Sequence, residues 1–208
     1  MSERSFSSGK CSDWEEEEEE DEDTKNQSDK DKKQDQKKGE LKIKNINLIY
    51  SISEILTKVI EQNKSQKNYK EILLKQKNMI FSANSIPKIS IYDYLIRIHK
   101  YSDIETNTLI CSLILIDHIS QSSDIILTYY NIHRIIFAAV LTSIKYNEDR
   151  FYDNKFYAEI AGIKLKELNM IEYSFLGLTN FNVFIKAEEY EQYKIYLEKY
   201  HKISLLEN

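Results

Sequence analysis

Residues 131–149 read NIHRIIFAAVLTSIKYNED. Ile132, Ile135, Ile136, Phe137, Val140, Leu141 and Ile144 point in most directions around a helical wheel. A helix that is apolar all round is buried rather than laid on a surface. Ala138 and Ala139 allow neighbouring backbones to come close. The segment is therefore expected at the centre of a helical bundle, with Asn131 as its N-cap. Lys145 then marks the first place where that centre reaches a surface.

Outward from this segment the period stays helical. On the N-terminal side, Leu48, Ile52, Ile55, Leu56, Val59 and Ile60 share one face. After the polar gap QNKSQKN, the run EILLKQKNMIF gives a second short helix. Pro87, the only proline, breaks the pattern. Helical runs resume in SIYDYLIRIHKY (90–101) and TLICSLILIDHIS (108–120), the first opened by a capping box of Ser90 and Asp93. On the C-terminal side, KFYAEIAGI (155–163) ends at Gly162, where a left-handed residue costs little. LKELNMIEYSFLGL (165–178) follows. Tyr190, Tyr193, Leu197 and Tyr200 then line one side of a terminal amphipathic helix. The expected fold class is all-α: five central helices with flanking N- and C-terminal helices.

The chain has 208 residues, enough for one domain and tails. Four glycines and one proline are too few for an all-β fold with many tight turns. Its net charge of −5 is unevenly placed. Residues 1–40 hold 15 acids and 8 bases, while the remainder holds 19 acids and 21 bases. The acidity thus belongs to a tail containing WEEEEEEDED, expected to be disordered and acidic. The folded part is near neutral, which argues against direct nucleic-acid binding. The longest apolar run, IIFAAVL, is far too short to span a membrane. The N-terminal residues lack a signal-peptide core. Cys11 and Cys111 imply no disulfide framework. An intracellular protein, nuclear or cytoplasmic, is expected.

No catalytic constellation emerges. There is no glycine-rich phosphate loop. His99, His118, His133 and His201 form no metal-like pair, so neither a metal site nor a cofactor is expected, and the protein is read as a non-enzyme. What remains is a set of charged residues in apolar helices: Arg97, Asp117, Arg134, Lys145 and Glu172. A buried charge is costly without a partner. Asp117 is expected to form a structural polar pair with Arg97, against competition from Arg134 and Lys88.

Taken together, PKISIYDYLIRIHKYS, then LILID, then YNIHRII with Lys145, then FYAEIAGI and ELNMIEYSFL resemble a cyclin box. The resemblance is to the P- or U-type family, whose founder regulates a yeast kinase in phosphate signalling. It covers about residues 46–200, with Ala161 standing where the family has a first glycine. It implies a box of five helices with the third at the centre, and sets the expected boundaries: a tail over 1–40, N-terminal flanking helices over 41–82, the box over 83–184, and a C-terminal helix over 185–208.

The resemblance also implies a partner, a cyclin-dependent protein kinase. In cyclins, a lysine ending the central helix and a glutamate of the fifth helix form a polar pair facing the kinase. By motif position these are Lys145 and Glu172. Thr142, Tyr146, Leu176, Phe181 and Val183 stand at the matching neighbouring positions. The arginine and tryptophan of the docking patch on the first helix of mitotic cyclins are absent here, as is a second box. A cyclin-box transcription factor and a helical adaptor that binds without activating are the competing readings.

Overall fold

The computed structural model describes residues 45–102 and 104–207. The tail expected over residues 1–40, with Cys11, lies outside them. Eight helices are described: α1 (45–64), α2 (Tyr69–Gln76), α3 (Ile91–Ser102), α4 (Thr106–Ser122), α5 (Ile132–Asn147), α6 (Asn154–Ala161), α7 (Leu165–Leu178) and α8 (Ala187–Glu207). Among the described residues there is no strand, and the all-α expectation holds.

The central position of α5 follows from its sequence. All residues from Ile132 to Ile144 except Arg134 are buried. The helix packs against α3, α4 and α7, and α8 packs on α4. Ala138 and Ala139 are fully buried, so helices approach α5 closely over a short side chain. Along α1, Ile49, Ile52, Leu56 and Ile60 turn into the core at three- and four-residue spacing. Leu48, Ile55 and Val59, expected on the same face, are only partly buried and flank that stripe.

The helix ends show where local chemistry was read correctly and where it was not. Ser90 Oγ accepts the Asp93 amide at 3.0 Å and donates to the Asp93 carboxylate at 2.7 Å, so the capping box forms. Gly162 ends α6 at φ 72°. Asn131 occupies the N-cap position of α5 but makes no side-chain bond to the helix. Its Oδ1 accepts from the Thr128 amide at 2.8 Å, back in the preceding loop. Its amide group also meets the buried Gln76 side chain of α2 at 3.0 Å. Asn131 therefore ties α2 and the α4–α5 loop to the start of α5.

The expected Asp117–Arg97 pair does not form. Asp117 accepts from Gln121 Nε2 at 2.6 Å and from the Tyr193 hydroxyl of α8. Arg97 instead donates to the Glu159 carbonyl at 3.3 Å, across from Gly162. Arg134 is taken by Glu167 and by the Ile80 and Ser82 carbonyls. The physical reason is that α8 covers α4 and brings its own donor to Asp117. Tyr193 looks, in the sequence, like one more member of an apolar stripe. Beside it, His118 Nε2 meets Glu189 at 2.6 Å, a second polar contact between α4 and α8.

Candidate functional site

Lys145 lies in the last turn of α5, where a cation is favoured by the helix dipole. Glu172 lies in the middle of α7, which packs along α5. Their side chains meet: Lys145 Nζ to Glu172 Oε1 is 2.5 Å. Glu172 Oε2 accepts from Asn154 Nδ2 at 2.8 Å, and the same amide reaches Asn169 Oδ1 at 2.8 Å. The side chains of Lys145 and Glu172 remain 29% and 15% exposed. The pair is therefore sheltered but open on one side. An ammonium has three donors and a carboxylate roughly four acceptor sites. One donor of Lys145 and one lone pair on each oxygen of Glu172 are used within the chain. The rest have no partner among the described residues, and both side chains keep some exposure.

Asn154 is the residue beside this pair that sequence reading missed. It is the first residue of α6, directly after the N-cap Asp153, whose carboxylate accepts the Phe156 amide at 2.9 Å. That cap fixes the start of α6, and with it the position of Asn154 beside Glu172. The only signal in the sequence was Asp-Asn at a helix start, which reads as capping chemistry alone.

The rim is apolar and exposed. Tyr146 follows Lys145 directly and is more than half exposed. Tyr152 stacks on Phe156 at 4.2 Å between ring centres, at the entrance to α6. On α7, Tyr173 is 71% exposed and meets Phe181 edge-on at 6.3 Å. Leu165, Met170 and Tyr173 line a shallow groove along α7 beside Asn169. Exposed aromatic side chains on the helices that carry a charged pair have the composition of a binding surface.

The five expected neighbours do not behave alike. Tyr146 and Phe181 are exposed, and Leu176 and Val183 are half-buried. Thr142 is buried, and its hydroxyl has no partner among the described residues. It supports the surface from beneath and offers almost no area of its own, because it faces the packed side of α5 one turn before Lys145.

Phe181 stands out by its backbone. It has φ 57°, and Asn180 before it has φ 51°. Asn tolerates the left-handed region, whereas a bulky side chain there is strained by about 1–3 kcal/mol. The conformation is held by the Phe181 amide donating to the Leu176 carbonyl at 2.8 Å, which closes the end of α7. The strain places a large ring outside the protein, 62% exposed. A backbone outlier at an exposed aromatic residue makes Phe181 a candidate contact position.

The sequence model of the cyclin family matches residues 18–183. The chain is 35% identical over 156 residues to the PHO85 cyclin-like protein psl1 of Schizosaccharomyces pombe, covering 70% of this chain and 64% of that protein. It is 32% identical over 149 residues to Cyclin-U4-2 of Arabidopsis thaliana, covering 71% and 68% respectively. It is 29% identical over 186 residues to PHO85 cyclin-7 of Saccharomyces cerevisiae, covering 77% and 65%. The aligned part thus spans about two thirds of the length of these relatives.

Proposed function

The chain belongs to the cyclin family, and from that premise we propose that it is a regulatory subunit that binds and activates a cyclin-dependent protein kinase. Its relatives carry P-type, U-type and PHO85 cyclin names. The observation that carries the reading is the Lys145–Glu172 pair, sheltered and partly open, with exposed aromatic residues on the helices that carry it. A pair that served only to hold α5 to α7 would not need Tyr146, Tyr173 and Phe181 on display beside it.

The mechanism is a shift of population. An active kinase needs its β3-strand lysine paired with the glutamate of its regulatory helix. Without a partner that helix is displaced. A surface that binds only the inward position favours it by the difference in affinity. Converting a 1:99 mixture to 99:1 takes about 5.5 kcal/mol of that difference. The free donors of Lys145 and acceptors of Glu172 suit main-chain carbonyl and amide groups. Each such charged hydrogen bond contributes about 1.5–3 kcal/mol. The aromatic rim adds apolar area around them. Catalysis resides in the kinase; this chain supplies the surface. A kinase partner also places the protein inside the cell, in nucleus or cytoplasm. Among the described residues no helix is long and apolar enough to cross a membrane.

The test is a kinase assay with and without the chain, using the kinase that copurifies from its own cells. Activity is expected to rise on adding the chain, and the Lys145→Ala, Glu172→Ala double variant is expected to lose both binding and activation while keeping its helical content. Binding without activation would make the chain an adaptor, and full activation by the double variant would remove the pair from the interface.

A further inference from the structure

A cavity of about 400 Å³ lies between α1, α4 and α8, and none of the residues placed at the kinase surface lines it. Ile55, Val59, Leu113, Ile116 and Leu127 make its walls aliphatic. Asp117, Tyr193 and Tyr196 also line it. Apolar walls with a few polar groups are the ordinary form of a small-molecule site.

Asp117 is the one charged residue of this lining. Its two hydrogen bonds come from neutral donors, Gln121 Nε2 and the Tyr193 hydroxyl, and both end on Oδ2. Oδ1 has no partner among the described residues, and none of their cations forms an ion pair with the carboxylate. Neutral donors satisfy lone pairs without cancelling charge. Beside aliphatic walls water screens that charge less, so an approaching cation is attracted more strongly than in bulk water. Other charges on these helices are engaged elsewhere. His118 meets Glu189 at 2.6 Å. Lys58 Nζ lies over the Tyr200 ring, 5.0 Å from its centre. Tyr200 stands 6.2 Å from Tyr196, centre to centre. This side of α8 thus already holds one ammonium against an aromatic face.

We propose that this cavity binds a small organic amine in its protonated form. The ammonium donates to Asp117 Oδ1 and rests against the tyrosine rings, whose faces attract cations. The hydrocarbon body of the amine fills the space between the aliphatic walls. The single free oxygen decides against other cations. A guanidinium fork uses both oxygens of a carboxylate, and Oδ2 already has two donors. A hard divalent cation needs several oxygen ligands, and among the described residues no group of side chains could hold a metal. An anion is repelled, and a neutral alcohol leaves the charge unmatched. The site does not depend on the kinase reading.

The test titrates the full chain with n-hexylamine, n-hexanol and n-hexanoate at neutral pH, read by saturation-transfer NMR. The amine is expected to bind at least tenfold more tightly than the alcohol, and hexanoate not at all. Asp117→Asn keeps an oxygen for Tyr193 and loses the charge. It is expected to bring the amine down to the affinity of the alcohol while leaving the alcohol unchanged. Tyr196→Leu, at a position more than half exposed, is expected to cost the amine several-fold at unchanged helical content, which covers the case where Asp117→Asn perturbs the fold. The Lys145→Ala, Glu172→Ala chain is expected to bind the amine as before, so that failure here is distinguishable from failure of the kinase reading. No binding of hexylamine, equal affinity for amine and alcohol, or undiminished amine binding by Asp117→Asn overturns the proposal. So does a lysine-bearing peptide that competes tenfold better than hexylamine, since it would make the occupant a protein.

Discussion

Asp117 and Glu172 are written alike, as single acids inside the apolar runs LILIDHI and NMIEYSF, yet the fold treats them differently. Asp117 sits on the face of α4 that α8 covers, and the chain supplies its donors, Gln121 and Tyr193. Glu172 sits on the side of α7 that meets the end of α5 and the start of α6, and its partner Lys145 keeps part of its side chain in the open. The first is closed in its hydrogen bonding between the helices, although Asp117 itself is only half-buried. The second is a seam left half open. A carboxylate among apolar residues therefore shows that a polar contact exists, and what covers that contact decides whether it serves the chain or another protein.

The contrast can be broken most severely at the open seam. Exchanging the charges, Lys145→Glu with Glu172→Lys, retains an ion pair between α5 and α7. The thermal midpoint is expected to move by only a few degrees. Outward donors, however, become acceptors. With about 1.5–3 kcal/mol at stake per charged hydrogen bond, kinase activation is expected to fall a hundredfold or more in an activity titration. Unchanged activation would show that the open seam is as private to the chain as the closed one.

The closed seam predicts the opposite pattern. Burial, reinforced by the nearby Asp117, pushes the Tyr193 hydroxyl well above its usual range, so it stays neutral and donates throughout the neutral region. Asp117→Ala leaves that half-buried hydroxyl without its acceptor. A stability loss of about 1.5–3 kcal/mol is expected in a denaturant titration, with α8 more open to proteolysis and with kinase activation intact below the transition. A loss of activation at unchanged stability would assign Asp117 to an interface.

Phe181 combines both effects in one residue. Replacing it by Gly relieves the left-handed strain, worth about 1–3 kcal/mol, and gives back part through the greater freedom of the unfolded chain, about 0.5–1 kcal/mol. A net gain of about 1 kcal/mol in stability is expected, together with a several-fold loss in kinase affinity. Thermal unfolding and a binding titration on the same sample read the two signs. Lower stability and unchanged affinity would show that the ring packs for the fold rather than for a partner.

How much of this was written in the sequence depends on distance along the chain. The burial of α5, the capping box at Ser90 and the turn at Gly162 rest on residues a few positions apart, and they were legible. Lys145 and Glu172 were placed through a resemblance, and they meet as expected. Partners supplied by remote elements were not legible. Tyr193 reaches Asp117 across 76 positions, and Arg97 turned to the α6 terminus 62 positions away. Asn154 was hidden for another reason, since its role comes from the cap that orients α6. The strain at Phe181 leaves no trace in composition.

The smallest expected effect lies at the buried end of α5, where His133 contrasts with the exposed Lys145 end. Burial holds the His133 imidazole below its ordinary value of 6.5, although its hydrogen bond to the Ile89 carbonyl works the other way. Because the folded value is lowered, the unfolded chain takes up a proton more readily. Stability from this residue is therefore present above about pH 6.5 and is lost as the pH falls below it towards the folded value. One such group changes stability by at most about 1.4 kcal/mol per pH unit. Between pH 7.5 and 5, the thermal midpoint of the natural chain is expected to fall more steeply than that of a His133→Gln chain. Parallel slopes would mean that the imidazole gains a proton inside the fold as easily as outside it. In that case the start of α5 would be as open to water and ions as its Lys145 end, and the distinction between a buried and an open end of one helix would fail.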